Sequence, residues 1–181
     1  WIKLKLLNRF TEFYWDQSRT EVEITSFLSK KENNFIITMN FGWKELFSEK
    51  ICRRQSEDRD NIKPDFFIEN QNWYCDIIEF KLPNLKRNAI VWKTNRETFS
   101  SEINSYISQT RVYQEYFDDP NNRKRVEKEY GIKVYKPKRI LIMWSRHDFT
   151  THERMDIKDD YKNITILTYD DIRDWAISQL Y

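Results

Sequence analysis

Two short stretches hold the residues most capable of chemistry. Lys63-Pro64-Asp65-Phe66 is followed, after one polar break, by Ile77-Ile78-Glu79-Phe80-Lys81. Asp65 to Glu69 and Trp73 to Lys81 are rich in β-formers, and Asn70-Gln71-Asn72 between them reads as a hairpin connection. Side chains alternate along a strand, so Glu79 and Lys81 share one face. A hairpin centred near Gln71 sets Asp65 opposite Ile77 and makes Glu79 its diagonal neighbour, about 7 Å away. Two carboxylates at that spacing can share one divalent cation, and an all-oxygen donor set suits Mg²⁺ better than Zn²⁺. Lys81 is then placed to position or help deprotonate a water, or to offset charge developing on a phosphoryl group. On an exposed strand these residues would be ordinary surface charges. Ile77 and Ile78 mark the strand as buried, where charges are costly unless paired or metal-bound, and this favours the catalytic reading.

Several elements must hold this hairpin in place. Thr20 and Glu23 form a capping box for a helix with Ile24, Phe27 and Leu28 on one face, ending near Lys31. Ile2, Leu4 and Leu6 alternate like a short strand, and Phe35 to Phe41 also reads as a strand. Ser48 to Asn61 reads as a loop or irregular helix, and Pro83 to Arg96 as a loop. Phe99, Ile103, Tyr106, Thr110, Tyr113 and Phe117 recur at helical spacing, with Asp118, Asp119 and Pro120 closing that long helix. A basic segment follows, then strands at Arg139 to Trp144 and Ile164 to Thr168. Thr168 with Asp171 caps a last helix carrying Ile172, Trp175, Ile177 and Leu180. The order predicts one α/β domain.

Composition removes whole classes of function. The 181 residues hold two glycines, which excludes glycine-rich phosphate loops of the P-loop or dinucleotide kind. Two cysteines and two histidines exclude a disulfide framework and argue against a Cys- or His-rich zinc site. With 31 Lys and Arg against 29 Asp and Glu the formal charge is +2, so nucleic-acid binding must rest on local patches. No apolar run approaches the roughly 20 residues of a membrane span and no signal peptide is evident, so a cytoplasmic location is expected. The chain begins at Trp1, which is expected of a piece of a longer protein.

Pro64-Asp65 with Glu79-Phe80-Lys81 resembles the PD-(D/E)XK nuclease superfamily. Gln109 and Tyr113 match the Q-x-x-x-Y element of its RecB-like branch, and Glu102, Tyr106, Gln109 and Tyr113 fall on one helical stripe. More narrowly, the chain from about Thr20 onward resembles the nuclease domain of the Shedu anti-phage defence family. The match takes in the Glu21 helix, the Asp65 and Glu79 hairpin, the Gln109 helix, Trp144-Ser145-Arg146 and Thr168-Tyr169-Asp170-Asp171-Ile172. The resemblance implies a restriction-endonuclease-like core with a mixed central sheet flanked by helices over residues 20–181, preceded by an extension over 1–19. It implies Asp65 and Glu79 as metal ligands assisted by the Phe80 carbonyl, Lys81 as the catalytic cation and Gln109 as an active-site helper. Glu21 becomes a further metal ligand and Arg146 a partner for carboxylate or phosphate. The cofactor expected is Mg²⁺, with Mn²⁺ able to substitute.

Between Glu79 and Glu97 there is no acid, while Lys86, Arg87, Lys93 and Arg96 fall in that interval beside Trp92. Such a loop is either a phosphate-backbone track or a solvated loop. The basic run from Arg123 to Arg139 reads first as solvated surface. The function expected is hydrolysis of DNA phosphodiester bonds in bacterial anti-phage defence, by a homo-oligomer without organic cofactor or membrane attachment. The alternatives are a non-cleaving nucleic-acid-binding or assembly module of the same fold, and a repair nuclease.

Overall fold

The computed structural model describes residues 1–41, 44–54, 60–83, 90–93, 96–146, 152 and 161–180; of residues 92, 93, 96 and 97 it describes the backbone alone. The chain opens with three helices, α1 (Ile2–Trp15), α2 (Glu21–Ser29) and α3 (Phe35–Phe41), followed by the strands β1 (Glu45–Ser48), β2 (Phe66–Glu69) and β3 (Cys75–Phe80). A separate hairpin of β4 (Ile90–Lys93) and β5 (Arg96–Phe99) precedes α4 (Ser101–Asp118) and α5 (Pro120–Tyr130). The chain then forms β6 (Arg139–Ile142), β7 (Thr165–Leu167) and α6 (Tyr169–Ser178). The main sheet has the order β1-β2-β3-β6-β7, antiparallel among the first three strands and parallel from β3 to β7. It is a mixed α/β sheet with helices on both faces.

All six residues of β3 are buried, because this central strand has helices on each side. Ile78 and Phe80 join Phe66, Ile68, Ile140 and Ile142 in a core shared with α1, α2, α3 and α6. Phe67, Cys75 and Ile77 point the other way, toward Tyr113, Phe117 and Val126 of α4 and α5. Alternation along β3 therefore places Glu79 on the α4 face.

Four local expectations are corrected. Residues 2–15 form a helix and not a strand: Leu7, Phe10 and Tyr14, three and four apart, make one buried stripe, while Ile2 is 75% exposed. Residues 1–19 thus contribute to the main core. Phe35 to Phe41 is also helical, since a short apolar run serves a buried helix as well as a strand and α3 packs on α6. Ser48 ends a strand that pairs with β2, and the segment 83–96 contains β4 and the start of the β4–β5 hairpin. The basic segment after Asp119 begins as α5. Asp119 caps it by accepting from the Asn121 N–H at 2.8 Å, Pro120 occupies its first turn, and Gly131 at φ 72° ends it in the left-handed conformation.

The two capping boxes form as their spacing dictates. Thr20 and Glu23 exchange bonds at the start of α2, and Thr168 and Asp171 do so at the start of α6.

Candidate active site

The hairpin register decides how the two acids meet. Phe66 pairs with Ile78 and Glu69 with Cys75, so one further step sets Asp65 opposite Glu79 instead of Ile77. The turn is longer than expected. Asn70 Oδ1 accepts from the Asn72 N–H and Asn72 Oδ1 from the Tyr74 N–H, while Trp73 takes φ 69°, so residues 70–74 bridge the strands. The correction brings the carboxylates closer in register than the sequence had placed them.

Asp65 Oδ2 accepts from the Phe80 N–H at 2.8 Å, which fixes it against the residue after Glu79. Glu79 is 3% exposed. Its Oε1 accepts from Lys81 Nζ at 2.9 Å and from Gln109 Nε2 at 2.8 Å. Its Oε2 is buried and has no hydrogen-bond partner among the described residues. Lys81 Nζ lies 3.4 Å from Glu21 Oε2 and 5.3 Å from the centre of the Tyr106 ring. Tyr106 donates in turn to Glu102 at 2.7 Å, and the second Gln109 donor goes to the Tyr113 hydroxyl at 2.7 Å. The stripe of Glu102, Tyr106, Gln109 and Tyr113 on α4 therefore faces Lys81 and Glu79.

The electrostatics follow from burial. Loss of water, and then the Glu79 charge, pushes the Asp65 carboxyl up to about 7. Burial also raises Glu79, against the pull of Lys81. For Lys81 burial works toward the neutral form, but contact with Glu79 outweighs it and holds the ammonium above the ordinary lysine value. Tyr113 is raised by burial and by Glu79.

When ionised, three acids around one lysine leave excess negative charge, and the Glu79 Oε2 oxygen adds an unused acceptor. Among the described residues no group of three or more His, Cys, Asp and Glu side chains could hold an ion, and Lys81 stands between Glu21 and Glu79. Mg²⁺ commonly takes only one or two carboxylates and keeps several waters, so a pair such as Asp65 and Glu79 could hold it. Glu21 sits in this cluster as an ion-pair partner of Lys81.

Other expected site residues lie elsewhere. The Arg146 guanidinium reaches Asp171 at 3.2 Å and Asp174 at 2.8 Å, both on α6. Lys86 and Arg87 lie outside the described residues; Lys93 and Arg96 are backbone partners closing the β4–β5 hairpin. The basic run is partly tied down at the hairpin end of β3: Arg123 donates to the Phe117 and Asp118 carbonyls, and Lys133 approaches Glu127 at 3.9 Å. One positioning residue has no role assigned from the sequence, where it stands only within the Thr168 to Ile172 match. Tyr169, fully buried at the start of α6, donates to the Lys81 carbonyl at 2.8 Å and packs against Phe80. Within that match nothing in the sequence separates its role from that of its neighbours.

No curated protein matches the chain. Residues 18–172 match the family described as Shedu protein SduA, C-terminal, a span that includes Glu21, Asp65, Glu79, Lys81, Gln109 and Tyr169. With that match running from the α2 cap to the first turn of α6, the chain belongs to the Shedu SduA C-terminal family.

Proposed function

We propose that this chain is a Mg²⁺-dependent nuclease of the PD-(D/E)XK type, with a restriction-endonuclease-like core, that hydrolyses DNA phosphodiester bonds in anti-phage defence. The family membership suggests the defence setting. The chemistry rests above all on two buried carboxylates set opposite each other, of which Glu79 keeps one oxygen, Oε2, with no partner at hydrogen-bond distance, although the Asp65 N–H and the Tyr113 hydroxyl stabilise the group from nearby. Leaving such an acceptor unmet costs roughly 1–3 kcal/mol or more for a charged group, which a bound cation would recover. Asp65 and Glu79 are the residues to hold it, and a divalent ion there supplies Lewis acidity to a phosphodiester oxygen and a more acidic water.

The chain's own groups do the rest. The Phe80 N–H orients the Asp65 carboxyl, and Gln109 fixes the rotamer of Glu79 while its other donor is anchored on Tyr113. Lys81 presents a fixed positive charge where negative charge grows on the phosphoryl oxygens, without having to reorganise during the step. Tyr169 holds the Lys81 backbone so that the ammonium stays between Glu79 and Glu21.

One observation favours the alternative of a non-cleaving DNA-binding module: Lys81 already satisfies one Glu79 oxygen and contacts Glu21. Incubation of linear, circular and single-stranded DNA with Mg²⁺, with Mn²⁺ and with chelator separates the two. Cleavage by the protein in either ion, absent in chelator and in Glu79→Gln, is the expected result. DNA binding with no cleavage under any condition establishes the module, and cleavage by Glu79→Gln at the original rate removes Glu79 from the chemistry.

A further inference from the structure

A second charged cluster stands apart from the acidic centre. Arg139 opens β6, pairs in register with Ile77, and is only 8% exposed. Its Nε and Nη2 donate to the Asn163 carbonyl at 3.3 and 3.1 Å. Among the described residues its Nη1 has no protein hydrogen-bond partner, and no carboxylate acts on the guanidinium. Burial and the nearby Arg111 both work against its charge, which is offset by the neutral Asn163 carbonyl and not by a carboxylate.

A cavity of about 530 Å³ opens beside it, lined also by Lys136, Lys138, Lys162, Gln114 and Asn163. Four of its lining side chains are cationic and none is acidic. Asp76 accepts from the Lys138 N–H at 2.7 Å but does not line the cavity. Four cations around one concavity repel one another unless an anion enters, and the guanidinium fork suits oxyanions that accept two parallel bonds. The volume falls in the range of small-ligand sites.

We infer that this cavity binds phosphate, either a free polyphosphate or the phosphates of a nucleic-acid strand, with Arg139 as the buried anchor and Lys136, Lys138 and Lys162 as the surrounding charge. Arg139 precedes Leu141, the register partner of Glu79, by two residues, which is about 7 Å along the sheet. Phosphate binding here uses neither Asp65 nor Glu79 and needs no divalent ion. It therefore stands or falls independently of the nuclease proposal.

Calorimetric titration of the whole chain with sodium tripolyphosphate in chelator tests it, with sodium sulfate at matched ionic strength as the control anion. Saturable binding of tripolyphosphate, at least tenfold tighter than sulfate, is expected. Lys136→Ala combined with Lys162→Ala should weaken it at least tenfold with an unchanged melting temperature. Arg139→Lys, which keeps the charge but loses the fork, should weaken it as well. If Arg139→Lys does not fold, the lysine pair, being exposed, still decides the matter. Arg123→Ala with Lys124→Ala, outside the cavity, should leave binding as it was. A short single-stranded oligonucleotide that displaces tripolyphosphate from the original protein identifies a strand as the phosphate source, and failure to displace identifies a free polyphosphate. Absence of saturable binding, or equal affinity in the Lys136 and Lys162 double variant, overturns the assignment.

Discussion

Glu79 and Asp65 are kept in the fold at an energetic cost, and that cost makes their chemistry measurable without any activity assay. Asp65 carries a folded-state value of about 7 against an ordinary value near 3.8. The folded chain therefore binds this proton more tightly than the unfolded chain, so stability is greatest below the ordinary value and is lost as pH rises from about 4 through 7. In metal-free buffer, the difference in unfolding free energy between Asp65→Asn and the original protein should grow across that window. It should favour the variant by about 1–3 kcal/mol at pH 8, less than full linkage because Asp65 keeps some contact with water. Chemical denaturation at pH 5 and pH 8 checks it, and a constant difference would show that Asp65 is not raised. Lys81→Ala acts in the opposite sense. It leaves Glu79 buried without its cation and should destabilise the metal-free protein by about 3–5 kcal/mol at pH 8. Added Mg²⁺ should recover much of this while turnover stays lost, as melting curves with and without the ion would show.

At the scale of elements, the site is the meeting of one hairpin, one helix and two helix starts. The β2–β3 turn sets Asp65 against Glu79, α4 presents Gln109 to Glu79 and Tyr106 to Lys81, α2 brings Glu21, and α6 brings Tyr169. The connection from α4 back to β6 depends on where α5 stops. Gly131 ends α5 at φ 72°, and among the described residues nothing beyond its own stretch of chain lies within 4 Å of the position a Cβ would take. Gly131→Ala therefore isolates backbone strain from steric clash. It should cost about 1 kcal/mol, with Gly131→Asn costing less because asparagine tolerates the left-handed region. A series of denaturation midpoints for glycine, asparagine and alanine in that order tests this, and a clash-dominated site would not rank them so.

Across the whole molecule, the sheet separates two of the three apolar cores found among the described residues, and the site bridges those two. One core joins β2, β3 and β6 to α1, α2, α3 and α6; the other joins β2 and β3 to α4 and α5. Phe10 on α1 is fully buried and packs against Phe27 and Tyr169, linking the first helix to the residue that holds Lys81. Phe10→Ala should cost about 3–5 kcal/mol. If the chain cleaves DNA as proposed, the resulting loosening near Tyr169 should lower that activity more than Gly131→Ala does, because Tyr169 holds the Lys81 backbone. Equal activity losses in variants compared well below their melting temperatures would show that α1 does not support the centre. Among the described residues, no helix is long and apolar enough to cross a membrane.

The signals legible in the sequence were those whose cause is local. Capping boxes at Thr20 and Thr168 need only residues three apart, and the long helical period of α4 puts Tyr106, Gln109 and Tyr113 on one stripe whatever surrounds it. The apolar context of Glu79 and Lys81 identified charges that must be compensated, because burial penalises them in any fold. Three-residue alternation in Ile2, Leu4 and Leu6, or a short apolar run such as Phe35 to Ile37, fits helix and strand alike, and only packing against α6 resolves it. The register of β2 on β3 was likewise out of reach, since it depends on two asparagine side chains and a left-handed Trp73 in the turn. The partners of Lys81 and Arg139 were decided last, because Glu21, Tyr169 and Asn163 are distant in sequence and meet them only when the layers close.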